Sequence, residues 1–368
     1  MTQYDFAIVG AGMAGASLAT ELAEYASVLV LEAEDRPGYH ATGRSAAFWE
    51  ECYGGPELVP LTLASGTYLR EHGFLTERGA LYIGREQESA LLDNFMQRFG
   101  QTGATIERLG RSRMVEAIPG LRGAWNDAVW QPACADIDVA GLHQHYLALG
   151  RARGVTVQTR ERIALAERND GLWTLTSEAG DVFHARTLVN AAGAWADDLA
   201  AKAGARPLNI TPLRRTVAQL RTDPLPPEDL PLVLDIAGQF YFKPESGKLW
   251  LSPHDETPSQ PCDAAPEELD VAQAIDRFQS VTDWRVLAVE HRWAGLRSFA
   301  PDRLPIYGRD AEREGFAWFA GQGGYGIQTA PAAARLCAQI LLGNQKDALT
   351  AKLDAACYAP TRPALAAA

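Results

Sequence analysis

Apolar residues open the chain in short runs separated by glycines, and their spacing predicts strand, turn, helix and strand in succession. Phe6-Ala7-Ile8-Val9 reads as a buried strand and Gly10-Ala11-Gly12-Met13-Ala14-Gly15 as a turn. Ala16 to Tyr25 follows as a helix, and Ser27 to Leu31 is a second strand ending on Glu32. Helical periodicity also predicts helices over 57–72, 86–99 (Leu91, Leu92, Phe95, Met96), 139–153, 267–282 and 332–342, with Asp136 or Asp138 as the cap of the third. Alternation and short apolar runs predict strands at 79–84, 155–159, 163–168, 173–176, 182–184, 213–218, 239–244, 248–252 and 316–320. The turns Asp170-Gly171 and Gly180-Asp181 make 163–184 a β-meander. Residues 187–195 read as a separate buried strand that ends in small residues. Beyond Ala359 the Ala/Pro-rich tail reads as mobile.

This order implies an α/β fold in which a Rossmann-like nucleotide domain is interleaved with an α+β, sheet-based substrate domain. The nucleotide domain takes 1–80, 140–205 and 291–368, and the substrate domain takes 81–139 and 206–290. The second substrate segment stands out through its prolines, from Pro207 to Pro231.

Composition narrows the classes. A length of 368 residues suits two domains, and 47% hydrophobic residues with 33 glycines describe an ordinary globular α/β chain. A formal charge of −12 argues against a nucleic-acid partner, yet leaves room for a small anion held by a few arginines. The five cysteines, Cys52, Cys134, Cys262, Cys337 and Cys357, are widely spaced with no C-x-x-C, so reduced thiols and no metal site are expected. No stretch approaches 18 uninterrupted apolar residues and no signal-peptide pattern precedes the first strand. The expectation is a cytoplasmic protein without a membrane span, with peripheral association at the inner membrane left open.

The glycine turn carries the first chemistry. In G-x-G-x-x-G, Gly10 permits the tight turn, Gly12 lets the backbone approach a pyrophosphate, and Gly15 lets helix and strand pack closely. The helix N-terminus then faces the phosphates. Glu32, 22 residues after Gly10, suits a ribose hydroxyl pair. Taken alone, this permits NAD or FAD. Gly38-Tyr39-His40-Ala41-Thr42-Gly43-Arg44-Ser45-Ala46-Ala47 follows directly, with small residues that suit a flat ring system. Ser45 also reads as the cap of a helix start.

Together with Asn190-Ala-Ala-Gly193-Ala-Trp195, Trp293-Ala-Gly-Leu-Arg297, Pro301-Asp302 with Pro305-Ile306 and Gly308, and Gly323-Gly-Tyr-Gly326, these motifs run in the order of the flavin-dependent D-amino-acid oxidase/dehydrogenase superfamily. The chain resembles that family over nearly its whole length, and the wording is most similar to its bacterial D-arginine dehydrogenase type. The resemblance implies a D-amino-acid oxidase-like fold and noncovalent FAD, with His40 and Cys337 as covalent attachment points only in principle. It assigns the cofactor to Gly10, Gly12, Met13, Ala14, Gly15, Glu32, Ala33, Arg44, Ser45, Ala46, Ala47, Ala192, Gly193 and Trp195, and to Gly323, Gly324, Tyr325, Gly326, Ile327, Gln328 and Thr329. It further implies hydride transfer from the α-carbon of a D-amino acid to flavin N5, giving an imine that hydrolyses to a 2-oxo acid and ammonia. Arg297 and Arg215 become the carboxylate fork, the choice of Arg215 over Arg214 resting on the family match. Tyr53 and Tyr241 become the catalytic-site hydroxyls.

The substrate pocket implied is Phe48, Ala80, Tyr82, Gln87 and Gly324. Where the D-arginine type has an acidic residue, this chain reads Arg78-Gly79-Ala80, and a pocket histidine of that type is Phe48 here. Losing a counter-charge and gaining a ring favours neutral or hydrophobic side chains, although Gln87 or Glu86 offers polarity nearby. The electron acceptor, whether quinone, dye or dioxygen, and the oligomeric state are not encoded legibly. Oxidation of glycine, sarcosine, a D-2-hydroxy acid or glycerol 3-phosphate, and a non-catalytic FAD-binding subunit, remain as alternatives.

Overall fold

The computed structural model describes residues 2–366 and is built on two large sheets. The first has eight strands. Gln3–Val9 lies at its centre, parallel to Val28–Leu31 on one side and to Val182–Asn190 on the other. Helix Met13–Leu22 joins the first two of these strands, burying Leu18, Ala19 and Leu22 against the apolar run that continues as Ala332, Leu336 and Leu341 of helix Ala330–Leu342. Strands buried on both faces need continuous apolar runs, and Val28-Leu-Val-Leu31 supplies one.

Val182–Asn190 replaces two strands expected from the sequence. Its first half pairs antiparallel with Leu172–Ser177 and completes the meander, while its second half pairs parallel with Phe316–Ala320. Gln3–Val9 runs along its other edge from His184 to Asn190. The interruption Ala185-Arg186 resembled a boundary because only the second half is buried on both faces, so the hydrophobic pattern changes within one strand.

The second sheet has ten strands. Arg285–Phe299 and Thr211–Asp223 form a long antiparallel pair, followed by Lys248–Ser252, Tyr241–Glu245, Leu232–Asp235, Ala80–Arg85, Trp125–Gln131 and Glu107–Gly110. One face packs Ala218, Leu220, Phe242, Leu249 and Leu251 against Phe278 and Val281 of helix Glu268–Val281. The opposite face looks towards the first sheet. The strand Arg285–Phe299 runs through residue 291, where a change of domain was expected, so its C-terminal half is also part of this sheet. Leu232–Asp235 is a further strand for which no expectation was made.

Local details differ from the sequence reading at three places. Asp138, not Asp136, caps helix Val139–Ala152 through Gly141 N; Asp136 instead pairs with Arg78 and the buried Lys243. Ser45 caps no helix: it follows the short 3-10 turn Thr42–Arg44, and its hydroxyl accepts from Ala47 N. The tail is anchored up to residue 366, because Arg362 is buried in a two-point pair with Asp302 and Leu365 is fully enclosed. Residues 367 and 368 lie outside the described part. Among the described residues no helix is long and apolar enough to cross a membrane, and no acidic, histidine or cysteine group is arranged to hold a metal.

Candidate active site

A cavity lined by residues of both sheets lies between them. Its first wall is the glycine turn. Gly10 has φ +106°, and a Cβ there would stand 2.4 Å from the Ala191 carbonyl oxygen, so only glycine fits. A Cβ on Gly15 would stand 1.8 Å from Gly10 O, which lets the helix start close above the strand. The helix begins at Met13 without a side-chain cap on Gly12, leaving N–H groups of its first turn free for an anion; Met13 N alone donates to Thr42 Oγ1, at 2.9 Å. Glu32 is 8% exposed at the end of Val28–Leu31, and its carboxylate accepts from Ala11 N and Glu34 N at 2.8 and 3.0 Å. Those contacts fix it at the cavity wall as an acceptor.

Gly10, Gly12, Met13, Ala14, Glu32, Ala33, Arg44, Ser45, Ala46, Ala192, Gly193, Trp195, Gly323, Gly324, Gly326 and Ile327 all line this cavity. The remaining residues expected to hold the cofactor do other work. Gly15 serves packing, and Ala47 sits past the turn at φ +61°. The Tyr325 ring turns away to pack on Tyr53 and Phe299, its hydroxyl donating to the Arg303 carbonyl. Gln328 and Thr329 are buried behind the loop. Gln328 Nε2 donates to Glu50 O and its Oε1 accepts from Glu50 N, while Thr329 Oγ1 donates to Tyr325 O. They brace the loop from behind, Gln328 by its bonds to the Glu50 backbone and Thr329 by its bond back to Tyr325 O. Cys337 is fully buried in that helix, whereas His40 lines the cavity and pairs with Glu34 at 2.9 Å.

The second wall comes from the ten-stranded sheet. Leu213 faces Arg297 and Arg215 faces Gly295 across the long strand pair, so the two arginines are diagonal neighbours on one sheet face. Period-two alternation sends Arg214 to the other face, where it pairs with Glu267 and Asp270 at 2.7 and 2.8 Å. Tyr241 opposes Ser252, which flanks Val217, bringing Tyr241 onto the arginine face. Arg215, Val217, Tyr241 and Arg297 line the cavity. Tyr53 lies 5.6 Å from Arg297, ring centroid to guanidinium carbon, and its hydroxyl occupies the space that a Cβ on Gly324 would need. Phe48 packs on both tyrosines, with centroids 5.7 and 5.6 Å away.

The polar atoms of this wall are underused. Arg215 is 5% exposed and donates to Asp255 O and to Glu256, yet its Nη1 is buried without a partner. Arg297 Nη1 and Tyr241 Oη are likewise buried and unpartnered. Burial, followed by the Arg297 charge, pulls the Arg215 pKa down. A buried guanidinium and a half-buried one line the same cavity, each with a buried Nη1 left over, so this end of the cavity suits an anion. A flavin ring above small residues and a carboxylate on the arginines suit these walls, so the residues present fit FAD and an acidic substrate.

The expected side-chain pocket is less complete. Ala80 is fully buried in the cluster with Phe48 and Tyr241. Tyr82 packs against the same cluster as Ala80, Phe48 and Tyr241, lies beside Phe95 and donates to Glu50 at 2.8 Å. Gln87 is exposed on the turn Glu86–Glu88 and takes no part, because Glu88 folds back on Arg85 and directs that turn to solvent. Reasoning from sequence missed Glu50, His254 and Glu256. Pro253-His-Asp-Glu256, a polar cluster directly after a predicted strand, is the signal that pointed there.

Comparison with known proteins identifies the family and the fold. The chain is 25% identical to glycine oxidase of Geobacillus kaustophilus over 92% of its own length and 93% of the relative's. It is 23% identical to hydrogen cyanide synthase subunit HcnC of Pseudomonas aeruginosa over 89% of each. The crystal structure of that glycine oxidase superposes with a TM-score of 0.83 over 98% of this chain and 99% of the other. L-proline dehydrogenase from P. horikoshii shares the fold, with a TM-score of 0.82 at 20% identity over 94% and 96% of the two chains. Residues 5–340 match the family described as DAO, FAD dependent oxidoreductase, and the protein belongs to that family of FAD-dependent oxidoreductases.

Proposed function

We propose that the protein oxidises the carbon–nitrogen bond of a neutral amino acid, a D-amino acid by the wording of its motifs, to an imine that water converts to a 2-oxo acid and ammonia. The observation carrying this reading is the pair Arg215 and Arg297, each with a buried Nη1 that has no partner. Guanidinium forks hold carboxylates at two points and stay charged, so they orient the acid end of the substrate. Tyr53 and Tyr241 stand beside them as hydroxyl donors, and the aromatic wall of Phe48, Tyr53 and Tyr241 keeps water from the reacting carbon. Bound FAD supplies the two-electron acceptor; the protein supplies orientation and charge.

A neutral side chain is favoured because the acidic residues lining the cavity, Glu32, Glu34, Glu161 and Asp198, all belong to the nucleotide side. Glu50 is fully buried, and burial pushes its pKa up to about 7, so it is only partly ionised at neutral pH. The packing of Phe48 on both tyrosines also favours small acids, and glycine or sarcosine is the second reading on that ground.

The test is anaerobic mixing of the holoenzyme with D- and L-alanine, D-leucine, D-arginine, glycine, sarcosine and D-lactate, following flavin bleaching. Bleaching by small neutral amino acids, with D over L, is the expected result. Bleaching by D-lactate alone, or by no acid, overturns the reading, and a preference for D-arginine overturns its side-chain part.

A further inference from the structure

His254 stands among the substrate-end residues and has no role in the reading above. It follows Lys248–Ser252, and continuing the register in which Ala218 opposes Leu251 brings residue 254 beside Arg215 on the same sheet face. Its ring meets the Tyr241 ring edge-on at 5.6 Å. The backbone adopts φ +57°, an unusual conformation for a residue with a Cβ, and Ser252 Oγ accepts from its N–H. Nδ1 lies 2.9 Å from Gly238 O. A carbonyl can only accept, so Nδ1 carries the hydrogen and Nε2 keeps its lone pair.

We propose that His254 Nε2 is the proton acceptor for the substrate's ammonium group, and that the arriving carboxylate switches on its basicity. The proposal rests on the amine-bearing acid argued above. The charges of Arg215, Arg297 and Arg303 act on this ring, which packs on the Tyr241 ring and is followed in the chain by Asp255 and Glu256. Burial first, and then the arginines, hold the ring neutral well below the ordinary histidine range. In the free enzyme the ring is therefore held in its neutral form at neutral pH. A bound carboxylate neutralises the arginine pair, which removes the penalty on a charged ring as the ammonium arrives.

The step balances simply. One N–H proton passes from the ammonium to Nε2. The freed nitrogen lone pair becomes the C=N bond as the α C–H bond breaks, and that hydrogen leaves with both electrons to oxidised FAD. The imidazolium then releases its proton to solvent.

The variant His254→Asn tests this, because asparagine tolerates positive φ and its amide can still donate to Gly238 O. With a D-amino acid that bleaches the wild type, flavin reduction by H254N at pH 7 falls by about 10²-fold or more and recovers as the pH passes the amine's own titration. A fall that is the same at every pH, or no fall, overturns the proposal. A second readout needs no turnover: ¹⁵N NMR of the imidazole in the wild-type holoenzyme. The Nδ1–H tautomer is expected, with a titration point rising by roughly one unit or more on adding benzoate. An Nε2–H tautomer, or no rise with benzoate, overturns it. If no amine acid bleaches the wild type, the functional reading fails, whereas intact bleaching with an unchanged H254N profile defeats the assignment of His254 alone.

Discussion

Replacing Arg297 by methionine separates binding from stability. Among the described residues its guanidinium has no hydrogen-bond partner; it lies over the Tyr53 ring and beside Arg215, whose charge it opposes. Methionine keeps much of the apolar stem and removes a like-charge contact. The folded protein therefore loses little: the unfolding free energy is expected to stay within about 0.5 kcal/mol or to rise. Ligand binding loses more. A guanidinium–carboxylate pair supplies charge-assisted hydrogen bonds of about 1.5–3 kcal/mol each, and with Arg215 still present a loss of about 2–4 kcal/mol is reasonable. At about 1.4 kcal/mol per decade that is a rise in Kd of roughly 30- to 700-fold. The assay titrates benzoate or another non-oxidisable carboxylate into the holoenzyme, reading the visible flavin spectrum beside a thermal melt. An affinity within about threefold of wild type, or a melt that collapses with flavin release, refutes the assignment of Arg297 as an anion site held open at the expense of stability.

Other consequences follow from burial and close approach. Glu50 is fully buried with its pKa raised from 4.5 to about 7, so its stabilising contribution is complete below about pH 4.5 and is lost as the pH rises through 7. E50Q is expected to unfold at higher denaturant than wild type at pH 8, by about 3 kcal/mol, and to match it near pH 4.5; equal curves at pH 8 would contradict this. Gly15→Ala forces a Cβ against Gly10 O and is expected to cost about 1–3 kcal/mol with loss of FAD on gel filtration, read from the yellow colour of the protein peak. Arg362→Ala breaks the buried pair with Asp302 and is expected to lower stability by about 3 kcal/mol in urea unfolding, whereas a truly mobile tail would show no change.

Sequence alone was most informative where one residue type is sterically required. Gly10 and Gly15 stand where a Cβ would strike backbone, and Glu32 ends the second strand with its carboxylate on Ala11 N. Such local demands are readable because they depend on a few consecutive residues. The arginine fork was readable only through resemblance. Its physical basis, the alternation that turns Arg215 inward and Arg214 outward, is itself a period-two property, but its sign depends on which face of Thr211–Asp223 is covered.

The tertiary structure decided the rest, because side chains far apart in the chain meet through strand register. The resemblance implied Gln87 and Tyr82 for the pocket, yet the Gln87 turn faces solvent, while Tyr82 packs beside Phe48 and Tyr241 with its hydroxyl on Glu50. Val182–Asn190 serves three neighbours at once, which no local window expresses. His254 comes beside Tyr241, Arg215 and Arg297 only through the register of four neighbouring strands. Local sequence thus determined the nucleotide turn, where backbone sterics act over a few positions; long-range pairing determined the substrate end, where charge and burial act across the sheet.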